Sequence, residues 1–163
     1  MSLPQSRAID VCDAIVAELN AISSGLSYTA TRVYSNGFTD GDLDELRLTV
    51  RPYEISFDAA ERGDERDIYE IQITLQKTVS RTDVTAIDSY FNLMIAIAAL
   101  YPIDRDWLIG TGKVQVTGKR FFPLMMRAEN IVKPSAYAFL ELPVETTKFY
   151  SSLMLDFGEW VLE

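Results

Sequence analysis

The sequence predicts an α+β domain: a mainly antiparallel sheet of about five strands with two helices packed on one face, in the order α-β-β-β-α-β-β. Three observations carry this. The stretch RDIYEIQITLQKTV, residues 66–79, alternates apolar and polar side chains almost without fault, which is the period of a strand. Residues 5–23 and 83–101 instead carry apolar side chains at helical spacing. The remaining apolar runs are short, β-branched or aromatic, and separated by turn residues.

The elements follow in order. Ile9, Cys12, Val16 and Leu19 form one stripe of the first helix, with Asp10, Asp13 and Glu18 towards water. Pro4 and Ser6 mark its start and Ser23-Ser24-Gly25 its stop. A first strand spans Thr29 to Tyr34 and ends at the Asn36-Gly37 turn. A second spans Leu46 to Tyr53, with Pro52 marking an edge or a terminus. Residues 56–65 are charged and broken by Gly63, a hairpin loop into the alternating strand. Thr82 or Asp83 caps the second helix, which stops at Tyr101 before Pro102. Its second half, LMIAIAAL, is apolar nearly all round. One sheet face needs only one apolar stripe, so a second surface must cover the rest, and the first helix is the simplest cover. Asp106-Trp107-Leu108 reads as a short turn, Val114 to Phe121 as a strand, and Lys148 to Val161 as the closing strand. Residues 123–146 hold three prolines and no clean period, an irregular excursion of the kind that usually bears an interaction. All 163 residues read as one domain.

Composition narrows the function. Twenty-four acidic residues against 15 basic ones leave a net charge of −9, the wrong sign for a surface built to neutralise phosphate. The basic residues Lys113, Lys119 and Arg120 form only a short cluster. There is no histidine, so imidazole catalysis and histidine metal ligation are excluded. Cys12 is the single cysteine and lies among helical apolar residues, as a small core hydrophobe does. No apolar signal region or membrane-spanning stretch is visible, which predicts a protein made in a cytoplasm.

The motifs that tempt a sharper reading fail on spacing. Asp40 to Glu45, DGDLDE, begins like a calcium loop, but glycine is needed at the sixth position and glutamate at the twelfth. Those positions hold Glu45 and Arg51. GKVQVTGKR has five residues between its glycines and Arg120 where a phosphate loop needs a hydroxyl. Glu54, Asp58 and Glu61, or Asp104 and Asp106, offer carboxylates without any sign of burial. No catalytic, cofactor or metal residue is assigned.

Two groups remain as interaction candidates. Glu70, Gln72, Thr74 and Gln76 form the polar face of the alternating strand, a candidate subunit-interface or lumen face. Phe121, Phe122, Met125 and Met126 form a run too continuous for one-sided burial. Either that run is buried on both sides or part of it docks onto another chain.

The strings AIVAELN, LRLTVRP, RDIYEIQITLQKTVS and DVTAIDSYFNL, in that order, resemble the tail-terminator (tail-completion) proteins of long-tailed bacteriophages and prophages. The resemblance covers most of residues 8–122, and the 123–146 excursion is longer than the family pattern. It implies a non-enzymatic virion structural protein of the tail or neck, made in the bacterial host cytoplasm. Such a chain forms a homohexameric ring that caps the tail tube and joins it to the head connector. Its partners would be further copies of itself, the tail tube protein and the head-connector proteins. DNA would pass without specific binding, no membrane would be involved, and no cofactor would be needed. An acidic lumen suits that passage, since it does not hold phosphate. Two alternatives stand beside this: another neck or baseplate component, such as a stopper or adaptor, and a small ligand-binding or enzymatic α+β domain with a pocket between helix and sheet.

Overall fold

The computed structural model of the chain describes residues 3, 5–35, 37, 43–59, 65–80, 82–109, 112–127 and 146–161. Helix α1 spans Arg7–Asn20; its N-cap Ser6 accepts a hydrogen bond from the Ala8 amide, which satisfies one of the free donors of the first turn. The Asn20 side chain ties the helix end to the sheet, accepting from the Ala30 amide at 2.7 Å and donating to its carbonyl at 3.2 Å. The strands are β1 (Ala30–Arg32), β2 (Arg47–Ala59), β3 (Glu65–Ser80), β4 (Asp106–Ile109), β5 (Gly112–Arg127) and β6 (Thr146–Val161), with helix α2 (Val84–Ala99) between β3 and β4. Asp83, one of the two expected caps, accepts from the Ala86 amide at the start of α2.

The six strands form one sheet in the order β1-β2-β3-β6-β5-β4. All pairs are antiparallel except β1 with β2. The architecture is therefore α+β as expected, but the sheet is mixed and has a sixth strand. Residues 106–109, expected as a turn, form β4 because they pair back onto β5 across a short connection. β2 runs six residues further than the expected end at Tyr53: a register shift between Pro52 and Glu54 absorbs the proline, and pairing with β3 resumes. A bulge lets a strand carry a residue that cannot donate to the ladder. Residues 123–127, placed at the start of the irregular excursion, belong to β5; residues 128–145 lie outside the described ones.

The core lies between the sheet and the helices. Ile71, Ile73 and Leu75 of β3, Leu153, Leu155 and Phe157 of β6, and Leu48 and Val50 of β2 meet Val11, Cys12, Ile15 and Leu19 of α1 and Leu93, Met94 and Ile97 of α2. Cys12 is fully buried, and desolvation pushes its thiol pKa up to about 12, so it stays protonated at neutral pH. Helix α1 was the expected cover for the surplus apolar surface of α2, and part of that surface stays open. Helix α1 packs on β1, β2 and β3, and also on β4, whereas α2 packs on β3 and β6. The two helices share the face side by side, and Phe91 and Ile95 of α2 stay 39% and 46% exposed.

Contact of α1 with strands at opposite edges means that the sheet is curled around it. Two arginines hold that curl. Arg7, at the start of α1, donates to the Ile109 carbonyl of β4 at 2.7 Å and pairs with Glu159 of β6 at 3.3 Å. Glu159 in turn accepts from the Tyr69 hydroxyl of β3 at 3.0 Å. Arg105, just before β4, pairs with Glu18 of α1 at 2.6 Å and donates to the Leu100 carbonyl at 2.7 Å. Its guanidinium lies 4.5 Å from the Trp107 ring centroid and 5.3 Å from that of Tyr101. Those two rings pack on each other and on Phe157. A planar cation satisfied at its edge and stacked on its face is a strong clamp.

Removing this clamp has a measurable expectation. Arg105→Ala should destabilise the fold by about 2 kcal/mol, the sum of a charge-assisted pair and a cation–π contact. For a chain of this size that is roughly 4–8 °C in Tm. Arg105→Lys should fall between, since it keeps the charge and loses the plane. An unchanged Tm for the alanine variant in differential scanning calorimetry would show that the curl is held elsewhere.

Candidate interface on the polar sheet face and strand edges

The sheet face turned away from the helices is built by register. Three rows cross β2, β3, β6 and β5, and a fourth crosses β2, β3 and β6: Glu54, Glu70, Asp156 and Gly118; Arg51, Gln72, Met154 and Arg120; Thr49, Thr74, Ser152 and Phe122; Arg47, Gln76 and Tyr150. The alternation of β3 puts Glu70, Gln72, Thr74 and Gln76 here, as its sequence requires. Bulk water does not reach the centre of this face. Within the single chain Thr74 is 0% exposed, Gln76 1% and Gln72 8%; Thr49, Ser152 and Met154 are buried as well. Arg51 donates to Gln72 Oε1 at 2.6 Å, and the Thr49 hydroxyl reaches the Thr74 carbonyl. A polar row is stable in such a place only when its groups are bonded.

The first row is electrostatically odd. Glu54 lies opposite Glu70, and Glu70 opposite Asp156, so three carboxylates stand side by side across three strands. Like charges directly opposite destabilise a sheet. Arg120 of β5 answers them by pairing with Glu70 across β6. Burial raises the Glu70 carboxyl above its ordinary pKa; Arg120 works against this, and Asp156 and Glu54 reinforce it. Glycine at 118 makes room for the row, because a Cβ there would lie 2.6 Å from Asp156 Oδ2. Among the described residues, no group of three acidic or thiol side chains has the geometry to hold a metal ion.

The aromatic run divides between the two faces. Phe121 turns to the helix side, where it packs edge-on against Phe91 at 6.0 Å between centroids. Phe122 lies on the polar face and is 48% exposed. Met125 stands opposite Tyr150 in register and Met126 opposite Phe149. Of the acidic run, Asp40 and Asp42 lie outside the described residues, and Leu43 is fully buried.

Sequence reasoning missed the strongest exposed apolar group. On the extension of β2, Tyr53 is 53% exposed, Ile55 38% and Phe57 66%. The signal was present: tyrosine, isoleucine and phenylalanine recur at every second position of PYEISFD, and the reading of Pro52 as a strand end hid it. Leu108 of β4 is exposed too. The surface depressions are broad grooves. One of about 620 Å³ is lined by Arg7, Asp106, Lys113, Gln115 and Glu159, and its two cations, Arg7 and Lys113, are already paired with Glu159 and Asp106.

The chain matches no protein-family model. A comparison with curated proteins likewise finds no similar sequence. Among solved structures, one chain without a functional description shares 14% identity over 98% of this chain and 99% of its own length, with a TM-score of 0.46. Another, from the virion of a native gene transfer agent (GTA) particle, shares 14% identity over 93% of this chain and 87% of that one, with a TM-score of 0.34. Both scores lie below one half, so neither likeness carries an argument about function.

Two outcomes are expected from this face. Gln76→Lys places a charge in a site 1% exposed, so it should lower stability by several kcal/mol; a Tm within 2 °C of wild type would show that the face opens to water. The second concerns pH. Because the Glu70 carboxyl is raised, the folded chain takes up its proton at a higher pH than the unfolded chain does. Its contribution to stability therefore grows as pH falls through the raised value and is lost as pH climbs back. Glu54→Gln removes one opposing charge and should flatten that part of the Tm–pH curve; an identical curve would remove Glu54 from the coupling.

Proposed function

We propose that this chain is a structural subunit of a phage-type virion, forming a homohexameric ring that caps the tail tube and meets the head connector. The observation that carries the reading is the surface left over by the fold. Tyr53, Ile55 and Phe57 on β2, Phe91 and Ile95 on α2, and Phe122 on β5 are large apolar side chains open to solvent in one isolated chain. A surface of this kind is ordinarily completed by neighbouring protein. The ordered resemblance of four sequence strings to tail-terminator proteins supports the ring and its position. So does the acidic balance of −9, which suits a lumen that DNA crosses without being held.

In this reading the chain has no catalytic task and needs no cofactor. Its partners are other copies of itself, the tail tube and the connector, and its place is the tail or neck of the virion. The buried state of Gln72, Thr74 and Gln76 directs the search for subunit contacts to the exposed strand edges and the outer side of α2. Glu54, Arg120 and Phe122, at the margin of the polar face, are the exposed members of that face.

Light scattering on the purified full chain, alone and with isolated tail tubes, tests the reading. The expected result is a six-fold mass in solution or a ring on the tube end. A chain that stays monomeric in solution and leaves tubes uncapped would overturn it.

A further inference from the structure

Among the described residues, the sheet has an open stretch on each of its two edges. β1 covers the outer side of β2 only as far as the pairing of Arg32 with Val50 and the bond from the Val33 amide to the Val50 carbonyl. Beyond that, no described strand pairs with β2 from Arg51 to Ala59. On the far side, β4 covers β5 from Gly112 to Gln115, and the Val116 amide and carbonyl bond Arg105 and Asp104. From Thr117 to Arg127 no described strand pairs with the outer edge of β5. Each open stretch is roughly 30 Å long at the rise of a β-strand.

The two edges differ in charge. The open stretch of β2 begins with Arg51, which bonds Gln72, and then carries Glu54 and Asp58 and no further cation; the open stretch of β5 carries Lys119, which donates to the Ala98 carbonyl, with Arg120 and Arg127 and no carboxylate. Arg120 is 58% exposed even while it pairs with Glu70. Both edges also present apolar side chains, Tyr53, Ile55 and Phe57 on one and Phe122 on the other. Basic residues and bulges blunt an edge against copies of itself. Opposite an acidic edge, the same charges favour pairing.

We propose that the acidic open edge of β2 in one copy pairs with the basic open edge of β5 in the next, so that the sheets of successive copies join edge to edge. The proposal rests on the ring reading above and names the surfaces that would close it. Two β2 edges repel each other, as do two β5 edges, so the contact is head-to-tail. Head-to-tail contacts generate rings or filaments, not isolated dimers. The open stretches lie at opposite ends of the sheet: that of β2 runs beside Arg66–Gln72 of β3, and that of β5 beside Lys148–Asp156 of β6. Copies joined this way are staggered along their strands. A ring of staggered copies closes when its strands tilt against the ring axis, as in a β-barrel.

Disulfide trapping tests this, and the native thiol does not interfere because Cys12 is fully buried. Phe122→Cys on β5 is combined in turn with Glu54→Cys and Ser56→Cys on β2, positions on the same sheet face, and the full chain is oxidised and run without reductant. The expected result is a ladder of covalent multimers from one of the double variants and only monomer from each single variant. Phe57→Arg should abolish the six-fold mass and leave Tm within 2 °C of wild type. Covalent dimers from single variants would mean like edges meet, which overturns the proposal. A six-fold mass that survives Phe57→Arg and yields no ladder would refute the edge contact and leave the ring standing. No multimer by light scattering, alone or with isolated tail tubes, and no ladder under either condition would sink both.

Discussion

The curl of the sheet around α1 is the constraint on which the rest depends. A sheet of six strands with a helix pair on one face has no intrinsic reason to bring its two edges to the same helix. Here β1 and β2 reach α1 from one side and β4 from the other. Arg7 and Arg105 hold the second contact, one through the Ile109 carbonyl and Glu159, the other through Glu18 and the stacked rings of Tyr101 and Trp107. Both arginines are partly buried, so their pairs are less screened than surface ion pairs. Burial also raises the Tyr69 and Tyr101 hydroxyl pKa values, so both rings stay neutral where they meet this network.

That geometry explains what the outer face does. The central strands β3 and β6 are apolar towards the helices and polar away from them, yet both sides are dry at Thr74, Ser152 and Gln76. The polar side is held by bonds along the rows, among them that of Arg51 to Gln72, and by Arg120, which pairs with Glu70 in the row of three carboxylates. Rigidity there leaves the margins as the places open to other molecules: the extension of β2, the length of β5 past Val116, and the outer side of α2. Exposed apolar side chains occur at all three.

Much of the fold was legible in the sequence. The period of residues 66–79, the caps Ser6 and Asp83, and the stripes of the helices follow from local chemistry, and the structure repeats them. Errors came where a local signal was outweighed by pairing. Pro52 reads as an end, but a bulge carries β2 past it because β3 continues to supply partners. Asp106-Trp107-Leu108 reads as a turn and becomes a strand because β5 lies beside it. The apolar excess of α2 calls for a covering surface, yet Phe91 and Ile95 of that helix stay exposed.

The sequence by itself determined the α+β class, the absence of histidine chemistry, the acidic balance and the alternation that gives β3 two unlike faces. Those are properties of composition and of neighbours along the chain. Only the tertiary structure decided that Gln72, Thr74 and Gln76 are buried, that Phe121 and Phe122 part to opposite faces, and that two strand edges of opposite charge have no described strand beside them. Burial depends on what crosses the sheet, and an edge lacks a described neighbour where a distant strand is short: β1 stops at Arg32, and β4 begins only at Asp106. Pairing partners far apart in sequence set those limits, and periodicity in a single stretch carries no information about them.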